Sequence, residues 1–318
     1  MRREVIFEMK STYRDRFRIE GYWFGEGKKT LAIVGTMRGD EVQQQYVCAR
    51  LVNELMKMEE EGALAPGHSI LVIPSCNPFS MNVSKRFWVM DGTDINRMFP
   101  GYAEGETTQR IAAAVFQCLQ GFEYGLQMAS FYVPGDFVPH ARMLRTGYED
   151  VESAKLFGLP FVTVRKPLPF DTTLLNYNWQ IWNTKAFSIY AGHTSVIDAE
   201  GTEQTVAAIK RFLFRIRASR VRVQGPGYAS EVIDEERLLN VAAGRAGIFV
   251  KMKQAGDEVK EGEVMARILH ANDCTVLEEI KAPVTGTVFF STNRPLTLEH
   301  GLVYRILPAS PVMVSDTK

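Results

Sequence analysis

The chain has 318 residues, with 37 basic and 37 acidic side chains, so its formal net charge is zero. This length is typical of about two domains, and an apolar fraction of 46% favours buried cores over a disordered chain. Zero net charge argues against nucleic acid and membrane surfaces as partners, because both attract basic proteins. We therefore expect neither partner.

The sequence contains no stretch of the ~18 apolar residues that a membrane span requires, and residues 1–15 lack the apolar core of a secretory signal. The four cysteines are far apart and form no C-x-x-C pair; they are Cys48, Cys76, Cys118 and Cys274. Scattered thiols are typical of a reducing compartment. We therefore expect a cytoplasmic protein without a disulfide framework or a cysteine-based zinc site.

Up to about residue 220, strand patterns and helix patterns alternate. The predicted strands are 30–36, 69–74, 122–129, 160–165 and 186–191, and the predicted helices are 41–61, 106–119 and 203–217. This alternation predicts an α/β fold with a mostly parallel sheet flanked by helices. Ligands usually bind at the carboxyl ends of such strands, so the loops that follow them are the first candidates for a site.

From about residue 223, helical periodicity stops and short strand-like segments alternate with turns. Regularly spaced short strands predict a small all-β unit, and residues 223–231 (VQGPGYASE) predict a linker. We therefore expect an α/β domain over residues 1–222 and a β domain over residues 223–318.

The β domain resembles the biotinyl/lipoyl barrel-sandwich fold from GIFVKM at residue 247 onward. That fold carries its cofactor on a lysine at a hairpin tip. The corresponding tip here is HANDC (270–274), which has no lysine, and Lys281 falls inside the next expected strand. We therefore expect a structural or interface role for this domain rather than covalent cofactor carriage.

Three motifs and the β-rich C-terminal domain together resemble the succinylglutamate desuccinylase/aspartoacylase family, a branch of the zinc carboxypeptidase-like fold. Residues 35–41 (GTMRGDE) resemble the family's G-x-x-H-G-x-E zinc loop, and residues 74–78 (PSCNP) resemble its P-x-x-N-P turn. Residues 91–101 (DGTDINRMFPG) are very close to its D-G-x-D-L-N-R-x-F-P-G signature. The resemblance covers nearly the whole chain and implies a carboxypeptidase-like, parallel or mixed sheet.

The resemblance also implies a chemistry. In this family a zinc ion is held by a His and a Glu three residues apart and by a second His after a later strand. The metal polarises an amide carbonyl and activates water, and a further Glu acts as the general base. An Asn-Arg pair and another Arg hold the substrate's carboxylate, which matches the planar guanidinium fork. The implied activity is deacylation of an N-acylated amino acid or a similar acidic small molecule.

This sequence departs from that scheme at the catalytic positions. The first His position carries Arg38, while Glu41 is retained. The second His position falls on Gln127, and the general-base position falls on Tyr190. Arginine has no lone pair to offer a metal, and glutamine is a poor zinc ligand. We therefore expect a degenerate metal site and no cofactor, although the resemblance itself implies zinc.

The substrate-binding positions are better matched. Asn96 and Arg97 match the family's substrate-binding pair, and Arg86 is a second candidate anion ligand. Arg38 either forms a buried ion pair with Glu41 or anchors an anionic ligand together with Arg86 and Arg97. The expected partner is a small-molecule carboxylate.

Two histidines are candidates for proton transfer, because histidine titrates near neutrality. His140 lies in a predicted loop over residues 130–143, and His193 follows the predicted strand at 186–191. A structural role is the alternative for each. A relocated metal site that combines Glu41 or these histidines with Asp40 or Asp94 also stays open, although Asp94 is expected mainly to support the turn that follows it.

Two functions therefore remain open. The first is an amide hydrolase in which Tyr190, His193 or His140, with Glu41, transfers protons without zinc in the usual place. The second is a catalytically inactive protein that binds a small anion or regulates through it on the same fold. Relatives with the added β domain often self-associate, so the resemblance also implies a homo-oligomer.

Overall fold

The computed structural model describes residues 1–10, 16–194 and 196–309. These residues form two compact units. Unit 1 consists of Met1–Ser130, Pro139–Tyr190 and Thr194–Val232. Unit 2 consists of Phe131–Val138, Ala191–His193 and the described residues from Ile233 onward. The predicted boundary between residues 222 and 223 stays a prediction.

Unit 1 contains both strands and helices. Its strands, two of which extend into segments of unit 2, are β1 (Arg2–Met9), β2 (Phe17–Phe24), β3 (Gly27–Thr36), β4 (Gly67–Ser75), β5 (Tyr124–Met128), β6 (Gly135–Leu144), β7 (Phe161–Arg165) and β8 (Lys185–Gly192). Its helices are α1 (Val42–Glu60), α2 (Pro78–Met81), α3 (Thr107–Leu119), α4 (Val151–Lys155), α5 (Leu175–Ile181) and α6 (Ala199–Arg215). Short 3-10 helices cover Ile95–Arg97 and Pro169–Thr173. No helix among the described residues is long and apolar enough to cross a membrane.

The sheet of unit 1 has the strand order β1-β2-β4-β3-β5-β8-β6-β7. The pairs β1–β2 and β2–β4 are antiparallel, whereas β3 pairs in parallel with β4 and β5, and β5 with β8. Parallel neighbours need a long crossover, which is usually helical, and α1 supplies the one between β3 and β4. The predicted α/β class with a mixed, mostly parallel sheet flanked by helices is confirmed.

Burial explains why these elements form where they do. Residues 31–34 of β3 are fully buried, as expected for a central strand covered by helices on both faces. In α1 the buried apolar side chains include Val47, Leu51, Leu55 and Met58, spaced at helical periodicity. Full burial of each large aliphatic side chain is worth about 1.5–3 kcal/mol. Helix α6 begins at Ala199 because the Asp198 carboxylate accepts a hydrogen bond from the Gly201 amide at 2.9 Å.

One sequence prediction for this unit is wrong. Residues 130–143 were expected to form a loop, but Gly135–Leu144 is strand β6 and His140 lies within it. Pro139 favoured a loop because proline cannot donate to a strand ladder. The strand forms despite Pro139, and His140 pairs in register with Phe161 of β7.

Unit 2 is built mainly from short antiparallel strands, the first of which begins in unit 1. They are β9 (Glu231–Asp234), β10 (Leu239–Ala242), β11 (Gly247–Lys251), β12 (Glu258–Val259), β13 (Val264–Leu269), β14 (Val276–Lys281), β15 (Gly286–Thr292), β16 (Leu296–Thr297) and β17 (Leu302–Pro308). One sheet has the order β14-β13-β11-β16, and in the other β17 lies between β15 and β10. The expected C-terminal all-β structure is confirmed. Residues 270–274 form the turn between β13 and β14, and Lys281 is the last residue of β14.

Candidate active site

The first two family motifs pack against each other through backbone contacts. A Cβ atom on Gly35 would collide with the Pro74 carbonyl oxygen, and one on Gly39 would collide with backbone atoms of Ser80 and Lys85. The Cys76 amide donates a hydrogen bond to the Thr36 carbonyl at 2.7 Å. The glycines in residues 35–41 are therefore required by close packing, whatever the loop binds.

A buried network of hydrogen bonds holds Arg38 between two carboxylates. Its Nη1 atom donates to Glu41 Oε1 at 3.1 Å, and its Nη2 atom donates to Asp94 Oδ2 at 2.8 Å. Glu41 Oε2 accepts the amides of Met37 and Arg38 at 2.8 and 3.0 Å. The Ser130 hydroxyl donates to Glu41 Oε1. Both oxygens of this carboxylate, which is 1% exposed, are therefore engaged.

The two neighbouring carboxylates determine the pKa of Arg38. Burial on its own lowers the pKa of Arg38, but attraction to Glu41 and Asp94 outweighs it and raises the pKa above the ordinary value. The guanidinium is therefore charged, and two carboxylates surround it. Because its charge is already matched, Arg38 does not make this position basic, and the hypothesis that it anchors an anionic ligand is not supported by its contacts.

The donor set at this position does not fit zinc. Arg38 stands where the family has its first His ligand, and it presents N–H groups rather than a lone pair. Gln127, at the second His position, donates its Nε2 hydrogen to Asn96 Oδ1 at 3.1 Å. Among the described residues, no group of three His, Cys, Asp or Glu side chains lies close enough together to hold a metal ion.

The 3-10 helix Ile95–Arg97 positions the predicted substrate-binding pair. Asp94 Oδ1 accepts the Asn96 amide at 3.0 Å, so Asp94 supports this turn as the sequence predicts. The same carboxylate also contacts Arg38. The Asn96 side chain is buried, and its Oδ1 atom also lies 3.5 Å from the Leu175 amide.

Arg97 is the cation at this turn that lacks a carboxylate. Its Nη1 atom donates to the Phe170 carbonyl at 2.7 Å, and its guanidinium carbon lies 4.9 Å from the Phe170 ring centroid. No acidic side chain in the described part of the chain forms an ion pair with it. Arg86 differs, because its Nη1 atom binds both oxygens of Asp40 at 3.1 and 2.9 Å. Arg38, Arg86 and Arg97 thus have separate partners, and Arg97 is the best placed to bind an anion.

Polar side chains also line one face of the neighbouring strands β5 and β8. Gln127 pairs in register with Ser188 of β8, and Tyr190 lies two residues further along on the same face. Asn176 of α5 donates to the Ser188 hydroxyl at 3.2 Å. All four side chains are at most 9% exposed. The carboxyl ends of these strands therefore carry a polar, buried surface, as expected for a binding site in a sheet of this type.

Tyr190 lies in a cluster with two residues of β6. Its hydroxyl oxygen accepts a hydrogen bond from Arg142 Nη1 at 2.9 Å. Its ring stacks on His140, with centroids 5.1 Å apart and an interplanar angle of 4°. His140, at 3% exposure, is therefore a packed residue of a strand. The sequence did not single out Arg142, because its partner Tyr190 is 48 residues away.

His193 belongs to unit 2, where its Nδ1 atom contacts a carboxylate oxygen of Asp136 and lies 2.7 Å from Asn293 Nδ2. The sequence singled out His193 but not these neighbours.

Cys76 is fully buried, and burial raises the pKa of its thiol well above the ordinary value, so it is no thiolate at neutral pH.

A cavity of about 640 Å³ lies elsewhere in unit 1, between β2 and the segment that follows β4. Its wall includes Phe17, Phe79 and Trp88. None of the predicted site residues lines it, so the candidate site rests on the side-chain networks above.

Comparisons with known proteins agree with this fold and these motifs. Residues 27–132 match the family model of the succinylglutamate desuccinylase/aspartoacylase catalytic domain. An N-alpha-acetyl-L-2,4-diaminobutyric acid deacetylase of Halomonas elongata is 25% identical over 255 residues, which cover 77% of this chain and 71% of that protein.

Solved structures show the same fold over nearly the whole chain. A succinylglutamate desuccinylase from Silicibacter sp. has a TM-score of 0.79 at 16% identity, covering 96% of this chain and 94% of that one. A succinylglutamate desuccinylase/aspartoacylase from Rhodobacter sphaeroides has a TM-score of 0.75 at 20% identity, covering 92% and 89% of the two chains.

The chain thus has the carboxypeptidase-like fold of these solved succinylglutamate desuccinylase structures. Through the catalytic-domain match over residues 27–132, the chain is similar to the succinylglutamate desuccinylase/aspartoacylase family. The resemblance expected from its motifs is confirmed.

Proposed function

We propose that this protein is a deacylase-like family member that binds an N-acyl amino acid or a similar acidic small molecule without the family's zinc site. The observation that carries the proposal is the position of Arg38. Its guanidinium lies between Glu41 and Asp94, where the family scheme needs an imidazole lone pair.

The relatives and the chemistry of Arg97 support this ligand class. The curated relative is named as a deacetylase of an N-acetylated amino acid, and the structural neighbours are named as desuccinylases or aspartoacylases. Arg97 retains the position of the family's carboxylate-binding arginine, and no carboxylate among the described residues neutralises it. A guanidinium of this kind binds a carboxylate in a bidentate manner.

The Arg38 network favours binding over zinc-dependent hydrolysis. Metal activation of water contributes several kcal/mol to the family's reaction, and Glu41 is engaged by four donors from three residues. Proton transfers at this position would require breaking that network. We therefore place the protein's role at this site in ligand recognition.

A second candidate function is hydrolysis of the acyl group without zinc. It is supported by two contacts outside the Arg38 network: Arg142 donates to the Tyr190 hydroxyl, and Asp136 contacts His193. Tyr190, His193 and His140 with Glu41 are the candidate proton-transfer residues, of which Glu41 and His140 are the least exposed.

The first experiment measures metal content and ligand binding on the same preparation. Protein purified without chelator is analysed for zinc and then titrated calorimetrically with N-acetylaspartate, N-succinylglutamate and N-acetyldiaminobutyrate. We expect less than stoichiometric zinc and calorimetric binding of at least one of these acids. One tightly held zinc per chain that is lost in Glu41→Gln would contradict the proposal, and turnover without added metal would favour the second candidate.

Arg97 provides the sharpest variant for this experiment. Replacing Arg97 with alanine removes a charge-assisted hydrogen bond of about 1.5–3 kcal/mol, so we expect ligand affinity to fall at least tenfold. Arg97→Lys keeps the charge but loses the planar fork and should recover only part of the affinity. The exposed Arg222→Ala serves as the matched control. Equal affinities for the Arg97→Ala and Arg222→Ala variants would place the ligand elsewhere.

A further inference from the structure

A second carboxylate in the molecule, Asp136 of unit 2, gathers three donors from separate segments of the chain. Its Oδ1 atom contacts His193 Nδ1 and accepts Asn293 Nδ2 at 2.7 Å. Its Oδ2 atom accepts Lys251 Nζ at 3.1 Å. The Asp136 side chain is 16% exposed, so these contacts replace most of its water. The carboxylate is therefore fixed in position by the all-β unit.

These contacts determine which nitrogen of His193 carries the proton. Lys251 Nζ donates to Asn293 Oδ1, which orients the amide so that its Nδ2 group faces Asp136. Asn293 Nδ2 also lies 2.7 Å from His193 Nδ1. The tautomer therefore decides whether Nδ1 accepts a hydrogen bond from the amide or donates one to the carboxylate. The charge-assisted bond to the carboxylate is the stronger of the two. His193 is therefore an Nδ1–H tautomer.

The opposite nitrogen of this ring is left as the acceptor. His193 Nε2 has no hydrogen-bond partner among the residues that the structure describes, and the side chain is 37% exposed. A neutral imidazole with Nδ1–H bound to a carboxylate has its lone pair on Nε2. This arrangement orients a base toward solvent and stabilises the imidazolium that forms when the base takes a proton.

We propose that Asp136 and His193 form a proton-accepting pair that activates water against small acyl compounds, namely esters and N-acyl amides. The inference rests on the acyl chemistry of the proposed function, specifically its second candidate. His193 is the catalytic residue of the pair. Asp136 is a positioning residue that acts through His193, held in place by Lys251 and Asn293.

The step balances without any further reactant. The oxygen of a water molecule forms a bond to the acyl carbon while His193 Nε2 takes one proton from that water. The tetrahedral oxyanion then collapses, the bond from the acyl carbon to the leaving oxygen or nitrogen breaks, and its electron pair stays with the leaving atom. The imidazolium returns its proton to that atom, which yields a carboxylic acid and an alcohol or amine.

The first test uses p-nitrophenyl acetate, a neutral activated ester that does not need a carboxylate-binding site. Because general acid–base groups contribute large rate factors, we expect His193→Gln to lower the hydrolysis rate at least about tenfold. Asp136→Asn should lower it severalfold, and Asp136→Glu should recover most of the loss. His270→Gln is the matched control, since His270 Nδ1 also contacts an aspartate, Asp273, but at an exposed hairpin turn.

The second test reads the tautomer directly. Long-range 15N–1H NMR spectra of the neutral imidazole should show the proton of His193 on Nδ1, and Asp136→Asn should shift the population toward Nε2–H. A merely structural role for His193 would change thermal stability but would not couple the tautomer to the ester hydrolysis rate across the Asp136 variants.

The outcomes separate this inference from the proposed function. An Nε2–H tautomer in the unmodified protein, or a His193→Gln rate no lower than that of His270→Gln, overturns the pair. Both measurements are made without an N-acyl amino acid. Loss of the proposed function, seen as no calorimetric binding of any acid, is therefore a different result from loss of the pair.

Discussion

Two carboxylate networks, one in each unit, differ in the kind of side chain that the carboxylate holds. In unit 1, Glu41 and Asp94 surround Arg38, which has donors on every nitrogen and no lone pair. In unit 2, Asp136 binds one nitrogen of His193 and leaves the other as an acceptor. The first network closes the position where the family does its chemistry, whereas the second leaves a base exposed. Charge pairing is common to both, so it is the remaining lone pair that marks a reactive group.

The largest expected effect comes from converting the Arg38 network into a metal site. Arg38→His combined with Gln127→His restores two imidazole ligands beside Glu41, and we expect zinc binding with micromolar affinity or better, about 8 kcal/mol of binding free energy. Imidazole and carboxylate are good zinc ligands. Calorimetric titration of the chelator-treated variant with zinc measures this directly.

The single variant Arg38→His is the matched control for that experiment. It keeps Gln127 and so offers one imidazole with Glu41, and its zinc affinity should be at least tenfold weaker. If the double variant binds zinc no more tightly than the single one, Gln127 does not stand at the second ligand position. The interpretation of this site as a degenerate zinc site would then fail.

The next largest effect compares the same chemical change in both networks. Glu41→Gln removes a fully buried charge from beside Arg38, and breaking a buried pair in this way costs about 3–5 kcal/mol. Asp136→Asn acts on a partly exposed network and should cost only about 1 kcal/mol. Urea unfolding curves of the two variants, fitted with a common slope, measure the difference.

A stability loss that is equal in the two variants would contradict the comparison. It would mean that Arg38 reaches water once Glu41 is neutral, and hence that the first network is not closed. A larger loss in Glu41→Gln would mean that the glutamate at the family's zinc-ligand position stabilises the fold in this protein.

The sequence anticipated the fold better than the site, for physical reasons that particular residues illustrate. Strands β3 and β4 each contain a short continuous apolar run, and the apolar residues of helices α1 and α6 recur at helical spacing, so local pattern was enough to predict them. The motifs singled out Arg38, Glu41 and Asp94, and the structure brings these three side chains into contact. Strand β6 was missed because Pro139 and the polar residues around it obscure its pattern.

The sequence analysis foresaw the ion pair of Arg38 with Glu41, three residues away, but not the partners from distant segments. Asp94 was expected to support its own turn, and its contact with Arg38 spans 56 residues. Asp136 contacts His193 from 57 residues earlier in the chain, and Asn293 reaches it from 100 residues later. No local pattern encodes such contacts, because they depend on which strands become neighbours. The contacts of His193 are therefore a property of the fold rather than of a motif.

The ion pair between Glu54 and Lys210 should contribute less to stability than either carboxylate network. Glu54 of α1 accepts Lys210 of α6 at 2.8 Å, and both side chains are about a quarter exposed or less. The hydrogen bond from Lys210 lowers the pKa of Glu54, with a smaller opposing effect of burial. Lys210→Met should therefore cost no more than about 1 kcal/mol at neutral pH.

The pH dependence of the stability loss in Lys210→Met shows whether that loss is electrostatic. Because the pKa of Glu54 is lower in the folded than in the unfolded protein, its contribution is complete above the ordinary carboxyl value of about 4.3 and disappears as pH falls through the lowered value. Urea midpoints of the native protein and Lys210→Met should thus differ at pH 7 and converge below pH of about 4. A difference that persists in acid would mean that Lys210 stabilises by packing its alkyl chain between α1 and α6.

The buried Arg38 network should retain most of its stabilising effect in high salt, whereas the Glu54–Lys210 pair should lose its own, because screening acts mainly on charges that water reaches.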